Sequence, residues 1–200
     1  PEAIREEMPE VDVIMGVNDY QKLDQAIQEA AKGGRPVYTD DDGKFHEFGR
    51  VLTTPKYSAY IRIGEGCDNW CSYCAIPMIR GGYRSRTMES IEEEARGLVE
   101  NGAKELILIA QDTTRYGIDL YGEYSLAKLM RRLCKIDGLK WLRVLYCYPD
   151  ALTDELLETM AEEEKIVKYI DLPLQHASAR VLKRMNRTGD RESLTALMKK

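Results

Sequence analysis

Cys67, Cys71 and Cys74, spaced C-x3-C-x2-C in the stretch GEGCDNWCSYCAIP, are the residues of this 200-residue chain whose types and spacing offer the most definite chemistry. Thiolates are soft ligands suited to iron-sulfur clusters. Two short spacings on one loop let three sulfurs converge on one inorganic body at little cost in loop closure. Three ligands to a four-iron cluster leave one iron open to a substrate or cofactor, so the count points to chemistry rather than to storage. Structural zinc takes four ligands, commonly as two paired knuckles. Here Cys134 and Cys147 stand apart, and His46 and His176 have no ligand spacing around them. An odd total of five cysteines without a recognisable secretory signal argues against a disulfide framework. Buried, inert thiol is the default for Cys134 and Cys147. The alternative of another class is a non-catalytic zinc-binding interaction module, in which the three thiolates hold a metal for a partner.

Composition bounds the setting of that loop. With 44% hydrophobic residues the chain can bury a sizeable core, and its formal net charge of -5 gives no general footprint for nucleic acid. No run of about eighteen apolar residues exists to span a membrane. The first residue is Pro1, and the closing LTALMKK reads as an unfinished helix, so both ends look cut.

The elements that must position the cysteines follow from periodicity. Asp12 to Gly16 reads as a short strand. A helix follows, with Asn18 or Asp19 as cap, Leu23, Ile27 and Ala30 on one face, and Gly33-Gly34 stopping it. Residues 35–56 shift to Asp, Gly, Pro and Thr and read as a linker, with the acidic run Thr39 to Gly43 a solvated turn. Strands and helices then alternate. Tyr60 to Ile63 is a strand that delivers the cysteine loop, and Thr87 caps a helix carrying Ile91, Ala95, Leu98 and Val99 that ends at Gly102. ELILIA, residues 105–110, is a second strand. A helix from Ser125 to Ile136 follows, then a strand from Leu142 to Tyr146, a helix capped by Thr153 with Leu156, Leu157 and Met160, a strand from Val167 to Leu172, and a helix with Val181, Leu182 and Met185.

Strands apolar on both faces and separated by amphipathic helices indicate a parallel sheet with right-handed crossovers. Functional groups then belong at the carboxyl ends of the strands. The cysteine loop lies there, as do Gln111 to Thr114, Tyr148 to Asp150 and Pro173 to His176. Four strands are too few to close a barrel, so the sheet is expected to continue past Lys200.

Strand, C-x3-C-x-aromatic-C with Tyr73 before the third cysteine, then β-α repeats: the order resembles the radical S-adenosylmethionine enzymes. The fold this implies is α/β, a partial (β/α)6 TIM-like barrel truncated to about four β-α units. It would comprise a radical core at residues 57–200, the linker at 35–56, and at 1–34 the remnant of an N-terminal α/β domain. More narrowly, CDNWCSYCAIPMIRGGYRSR resembles the cysteine loop of the methylthiotransferases, and KELILIAQDTTRYG, LYCYPD and YIDLPLQHASARVLKRMNR resemble their next three blocks. AQDTTRYG and YCYPD are similar to the branch that methylthiolates an aspartate of a small-subunit ribosomal protein. The branch that modifies tRNA typically has GQNVNSYG-like sequence there and is the alternative.

The resemblance implies that Cys67, Cys71 and Cys74 hold a 4Fe-4S cluster whose open iron chelates S-adenosyl-L-methionine. It implies reductive cleavage of that cofactor to a 5'-deoxyadenosyl radical, with the protein supplying position. Tyr73 would pack near the adenine, Gln111 would meet the methionine amino group, and Gln175 would line the pocket beside His176. A small-subunit ribosomal protein as substrate, an electron donor and a cytoplasmic location come with it. Methylthiotransferases carry three further cysteines in an amino-terminal domain, and none precedes Cys67 here. The 200 residues alone are therefore expected to hold one cluster at most and to fall short of methylthiolation. From residue chemistry alone, Arg80, Arg84 and Arg86 could engage a carboxylate or phosphate, or be surface groups, and Gly81-Gly82 would let the backbone turn sharply.

Overall fold

The computed structural model describes residues 1–40, 50–53 and 55–200. The chain divides into two compact units, Pro1–Arg50 and Val51–Lys200. The first holds α1 (Glu2–Glu7), β1 (Ile14–Met15), a 3-10 turn (Tyr20–Lys22) running into α2 (Leu23–Ala31), and β2 (Val37–Tyr38), with β1 and β2 paired in parallel. The segment expected to be a linker thus opens with a strand. Leu23 and Ile27, expected to share one face of the helix, are exposed, and Ala26 is the buried residue of α2. Two two-residue strands offer a helix little surface, and a methyl group permits the close approach that larger side chains would prevent. Asp40 is solvated and pairs with Lys22 at 3.5 Å. The rest of the acidic run, Asp41 to Gly43, and His46 lie outside the described residues.

The second unit begins with β3 (Ser58–Arg62), β4 (Gly64–Glu65), α3 (Ile76–Arg80), β5 (Arg84–Ser85), α4 (Met88–Glu100) and β6 (Glu105–Ile109). It continues with α5 (Ile118–Tyr121), α6 (Leu126–Cys134), β7 (Trp141–Val144), a 3-10 turn (Pro149–Ala151), α7 (Asp154–Glu162), α8 (Ala179–Arg184) and α9 (Arg191–Leu197). β3, β6 and β7 form a parallel sheet in chain order, with Ile61 opposite Leu108 and Leu108 opposite Val144. Leu106, Ile107 and Leu108 are all buried, as a sheet covered on both faces requires.

The helices follow their periodicity. Thr87 Oγ1 accepts from the Ser90 amide at 3.3 Å to start α4, whose Ile91, Ala95, Leu98 and Val99 enter the core. α6 buries Leu126, Leu129, Met130 and Leu133. In α7 the Thr153 hydroxyl accepts from the Leu156 amide at 3.2 Å.

The fourth expected strand does not form as such. Among the described residues, the segment from Val167 to Leu172 touches the sheet first where Ile166 bridges Leu142 and the Val167 amide donates to the Leu142 carbonyl at 2.9 Å. It returns at Asp171, whose carbonyl and carboxylate take the Cys147 and Tyr146 amides, both at 3.0 Å. Tyr146 has φ +60, which turns the chain out of the ladder just past β7 and leaves no continuous edge to pair with. β4 and β5 form an antiparallel pair that periodicity did not indicate, since two-residue strands carry no period.

Truncating Leu108, fully buried in the central strand, is expected to cost about 2 to 5 kcal/mol through lost transfer energy and the cavity left behind. Urea denaturation of Leu108→Ala should move the midpoint at unchanged slope.

Candidate metal centre

The cysteine loop leaves the carboxyl end of β3 and is closed by glycine. Gly66 has φ +79, and an ideal Cβ built on it would lie 2.1 Å from the Gly82 carbonyl oxygen. The Cys67 amide donates to the Gly81 carbonyl at 3.2 Å, and Asp68 Oδ1 accepts from the Tyr83 amide at 3.1 Å. The GEG before the first cysteine and the Gly81-Gly82 pair thus serve one purpose: two backbone segments meet at a distance that excludes any side chain.

A second tie crosses to the loop after β6. Asp112 is fully buried, and its Oδ2 accepts from Asn69 Nδ2 at 2.9 Å and pairs with Arg115 Nε at 3.2 Å. Its Oδ1 accepts from the Thr114 amide at 3.1 Å and the Thr114 hydroxyl at 2.5 Å. Arg115 Nε also donates to Asn69 Oδ1 at 3.0 Å. A buried carboxylate is tolerated when its lone pairs are filled in this way.

Around the thiols, Cys67 is buried while Cys71 and Cys74 are partly open. Burial pushes the Cys67 thiol up, the Asn69 amide lowers it, and Asp112, Cys71 and Cys74 push it up further. The three sulfurs therefore feel one another, although among the described residues no three His, Cys, Asp or Glu side chains converge closely enough to hold a single metal ion. Zinc with bonds of about 2.3 Å would need its sulfurs within about 4 Å. Three thiolates on one short loop are soft donors of the kind that iron-sulfur clusters take, so the chemistry of the donor set fits that group.

The remaining expected site residues divide. Gln111 lies beside Asp112 at the same strand end, with its amide oxygen buried and without a hydrogen-bond partner. Tyr73 is exposed, and its phenol is pushed up by burial of the hydroxyl and by Cys71, with Arg187 opposing. Gln175 is exposed with φ +66 and lines a shallow surface hollow with His176 and Leu194. His176 Nδ1 accepts from the Ser178 amide at 2.8 Å, a turn-stabilising contact.

The arginines after the loop are engaged by the protein itself. Arg80 meets the buried Glu65 at 2.5 Å, and Arg84 donates to the Arg80 carbonyl at 3.0 Å. Buried Arg86 pairs with Glu94 at 2.5 Å and donates to the Arg62 carbonyl at 2.9 Å. Sequence reasoning placed Asp112 and Tyr148 at the functional rim without an individual role, and it singled out neither Asn69 nor Arg187. Tyr148 Oη lies 4.0 Å from Cys71 Sγ, and Arg187 Nη1 donates to the same sulfur at 3.7 Å. Arg187 is 116 residues from Cys71, so no spacing rule links them.

Burial pushes the Cys134 and Cys147 thiols up to about 11. At pH 8 only about one part in a thousand of each is thiolate, the reactive form. Iodoacetamide on the native protein should therefore label Cys71 and Cys74 and spare Cys134 and Cys147, read by peptide mass analysis. Gly66→Ala should open the loop, making Cys67 alkylate at least tenfold faster; an unchanged rate would show that the Gly66 and Gly82 backbones separate freely.

Residues 61–200 match the family model described as the Radical SAM superfamily. The ribosomal protein uS12 methylthiotransferase RimO of Clostridium tetani is 52% identical over 200 residues, covering 99% of this chain and 45% of that protein. RimO of Clostridium perfringens strain SM101 is 53% identical over 190 residues, covering 94% and 43%. The chain thus spans less than half the length of these relatives. Among solved structures, the radical S-adenosylmethionine methyltransferase TsrM of Kitasatospora setae, with tryptophan and a cofactor analogue bound, aligns with a TM-score of 0.58 at 16% identity, covering 76% of this chain and 31% of that one. The cobalamin-dependent radical enzyme OxsB aligns at 0.59 and 14%, covering 91% and 30%, and at such identities the likeness concerns the fold. With the family model matched over residues 61–200, from the end of β3 through all three loop cysteines and strands β6 and β7, this chain belongs to the radical S-adenosylmethionine superfamily.

Proposed function

We propose that this chain is the radical-generating part of a methylthiotransferase acting on an aspartate of ribosomal protein uS12. The reading is supported by identities above 50% to relatives so named and by the agreement of their substrate with the AQDTTRYG and YCYPD blocks. In this reading residues 57–200 are the radical core and residues 1–34 belong to a preceding domain. Cys67, Cys71 and Cys74 hold the 4Fe-4S cluster. Bound there, such a cluster would supply the one-electron reduction by which radical S-adenosylmethionine chemistry opens the cofactor at its sulfonium.

The protein's own part is positional. The observation that carries the proposal is a three-thiol loop tied through Asn69 and Asp112 to a strand end where the Gln111 amide oxygen is buried and unpartnered. An unmet buried acceptor costs about 1 to 3 kcal/mol, and the ammonium group of the bound cofactor is a donor that would satisfy it. Tyr73, exposed beside Cys74, keeps its hydroxyl on Arg187 and Cys71 and would offer its ring to an adenine face. Gln175, two residues after the Pro173 carbonyl that holds Arg187, would line the pocket beside His176.

Anaerobic reconstitution with iron and sulfide, then dithionite and S-adenosylmethionine, should yield 5'-deoxyadenosine. Cys71→Ala should abolish it together with the brown charge-transfer absorption. Gln111→Ala should keep the colour while weakening S-adenosylmethionine binding about tenfold, the effect of losing about 1.4 kcal/mol. Incubation of the full-length protein with uS12 and with tRNA, followed by mass analysis, decides the substrate: a methylthio adduct on uS12 supports the proposal, and an adduct on tRNA alone defeats it.

A further inference from the structure

Four consecutive residues at the carboxyl end of α8 grip the cysteine loop. The Ser72 amide donates to the Met185 carbonyl and the Ser72 hydroxyl to the Arg184 carbonyl, both at 3.0 Å. Asn186 Nδ2 donates to the carbonyls of Asn69 at 3.2 Å and Trp70 at 2.9 Å. Two of the residues involved have uncommon backbones: Trp70 has φ +48 and Asn186 has φ +55. Asparagine tolerates that region, but a bulky tryptophan there is held by its surroundings.

The fourth residue of the grip is Arg187, and it is buried. Its guanidinium lies 4.1 Å from the Tyr148 ring centroid, Nη2 donates to the Pro173 carbonyl at 2.8 Å, and Nη1 points at Cys71 Sγ from 3.7 Å. Ring, carbonyl and sulfur together define the plane of the fork. A guanidinium does not give up its proton in proteins, so this charge is fixed at every working pH. Cluster reduction potentials are set by net charge, by hydrogen bonds to the ligating sulfurs and by exposure. Arg187 supplies the first two at one sulfur.

We propose that Arg187 is a positioning residue that fixes Cys71 within the loop and, through its N–H···S bond and permanent positive charge, raises the reduction potential of the cluster. The inference rests on the reading of Cys71 as a cluster ligand. Adding an electron makes the cluster more negative, and a nearby cation favours that state. The remaining three residues, Arg184 to Asn186, act by holding the loop's shape through Ser72, Asn69 and Trp70.

The test is a mediated dithionite titration of the reconstituted full-length protein, followed by electron paramagnetic resonance. Arg187→Gln should retain stoichiometric iron and shift the one-electron reduction equilibrium about tenfold toward the oxidised cluster, which is about 59 mV more negative. Arg187→Lys, which keeps the charge, should stay close to wild type. An Arg187→Gln cluster with wild-type potential overturns the proposal and leaves Arg187 a packing residue. If Arg187→Gln loses its iron, Arg187→Lys decides: a potential near wild type supports the proposal, and a tenfold shift with the charge retained overturns it. A wild-type protein that binds no cluster would instead defeat the underlying ligand reading.

Discussion

Parallel pairing of β3, β6 and β7 in chain order is the constraint on which the site depends. Parallel strands all exit at the same edge, and each must return through a helix before the next can start. The loop bearing the cysteines, the turn bearing Gln111 and Asp112, and the turn bearing Tyr148 are therefore neighbours although they are separated by tens of residues. Burial of Ile61, Leu108 and Val144 across from one another locks that register, because a one-residue slip would turn each of these side chains to the opposite face. The chemistry at the rim thus inherits its precision from apolar side chains that take no part in it.

What was legible in the sequence follows from the range over which each signal acts. Thr87 and Thr153 cap helices as their spacing indicates, because a cap is settled by three adjacent residues. β6 was visible as an apolar run. The strand expected at Val167 to Leu172 carries Lys168 and Asp171 among its apolar residues and does not form, the sheet being met only by a bridge at the preceding Ile166, because the geometry of its neighbour beyond Tyr146 decides whether it can pair. On α2, Leu23 and Ile27 carry a helical period yet lie exposed, since periodicity shows which residues share a face and not what covers it. The cysteine triplet was legible because its spacing is local. Arg187 was not, because its bond to Cys71 exists only after α8 has folded back onto the loop.

The same distinction separates the arginines. Arg80 and Arg86 follow the cysteine loop closely and have the right chemistry for an anion, but Glu65 and Glu94 take them up. Glu65 is itself buried and bridges Arg62 at 3.1 Å as well as Arg80, so removing either cation would leave a carboxylate short of partners in a poorly solvated place. These pairs fasten the β4 and β5 segment beneath the loop. A positive charge in sequence near a metal ligand is therefore a poor guide to which charge the metal will feel.

Arg187 meets the stricter requirement because three different groups fix its direction. A cation on a mobile stem would be averaged by solvent and screened, and its effect on a cluster would be small. Buried over Tyr148 and bonded to the Pro173 carbonyl, the guanidinium acts across a short, poorly solvated path to one sulfur. The loop pays for this arrangement with a strained backbone at Trp70, and the hydrogen bonds from Asn186 offset that strain at the point where it arises. Holding the loop and setting its electrostatics are then two effects of one segment, which is why the helix end that grips the cysteines also carries the charge that faces them.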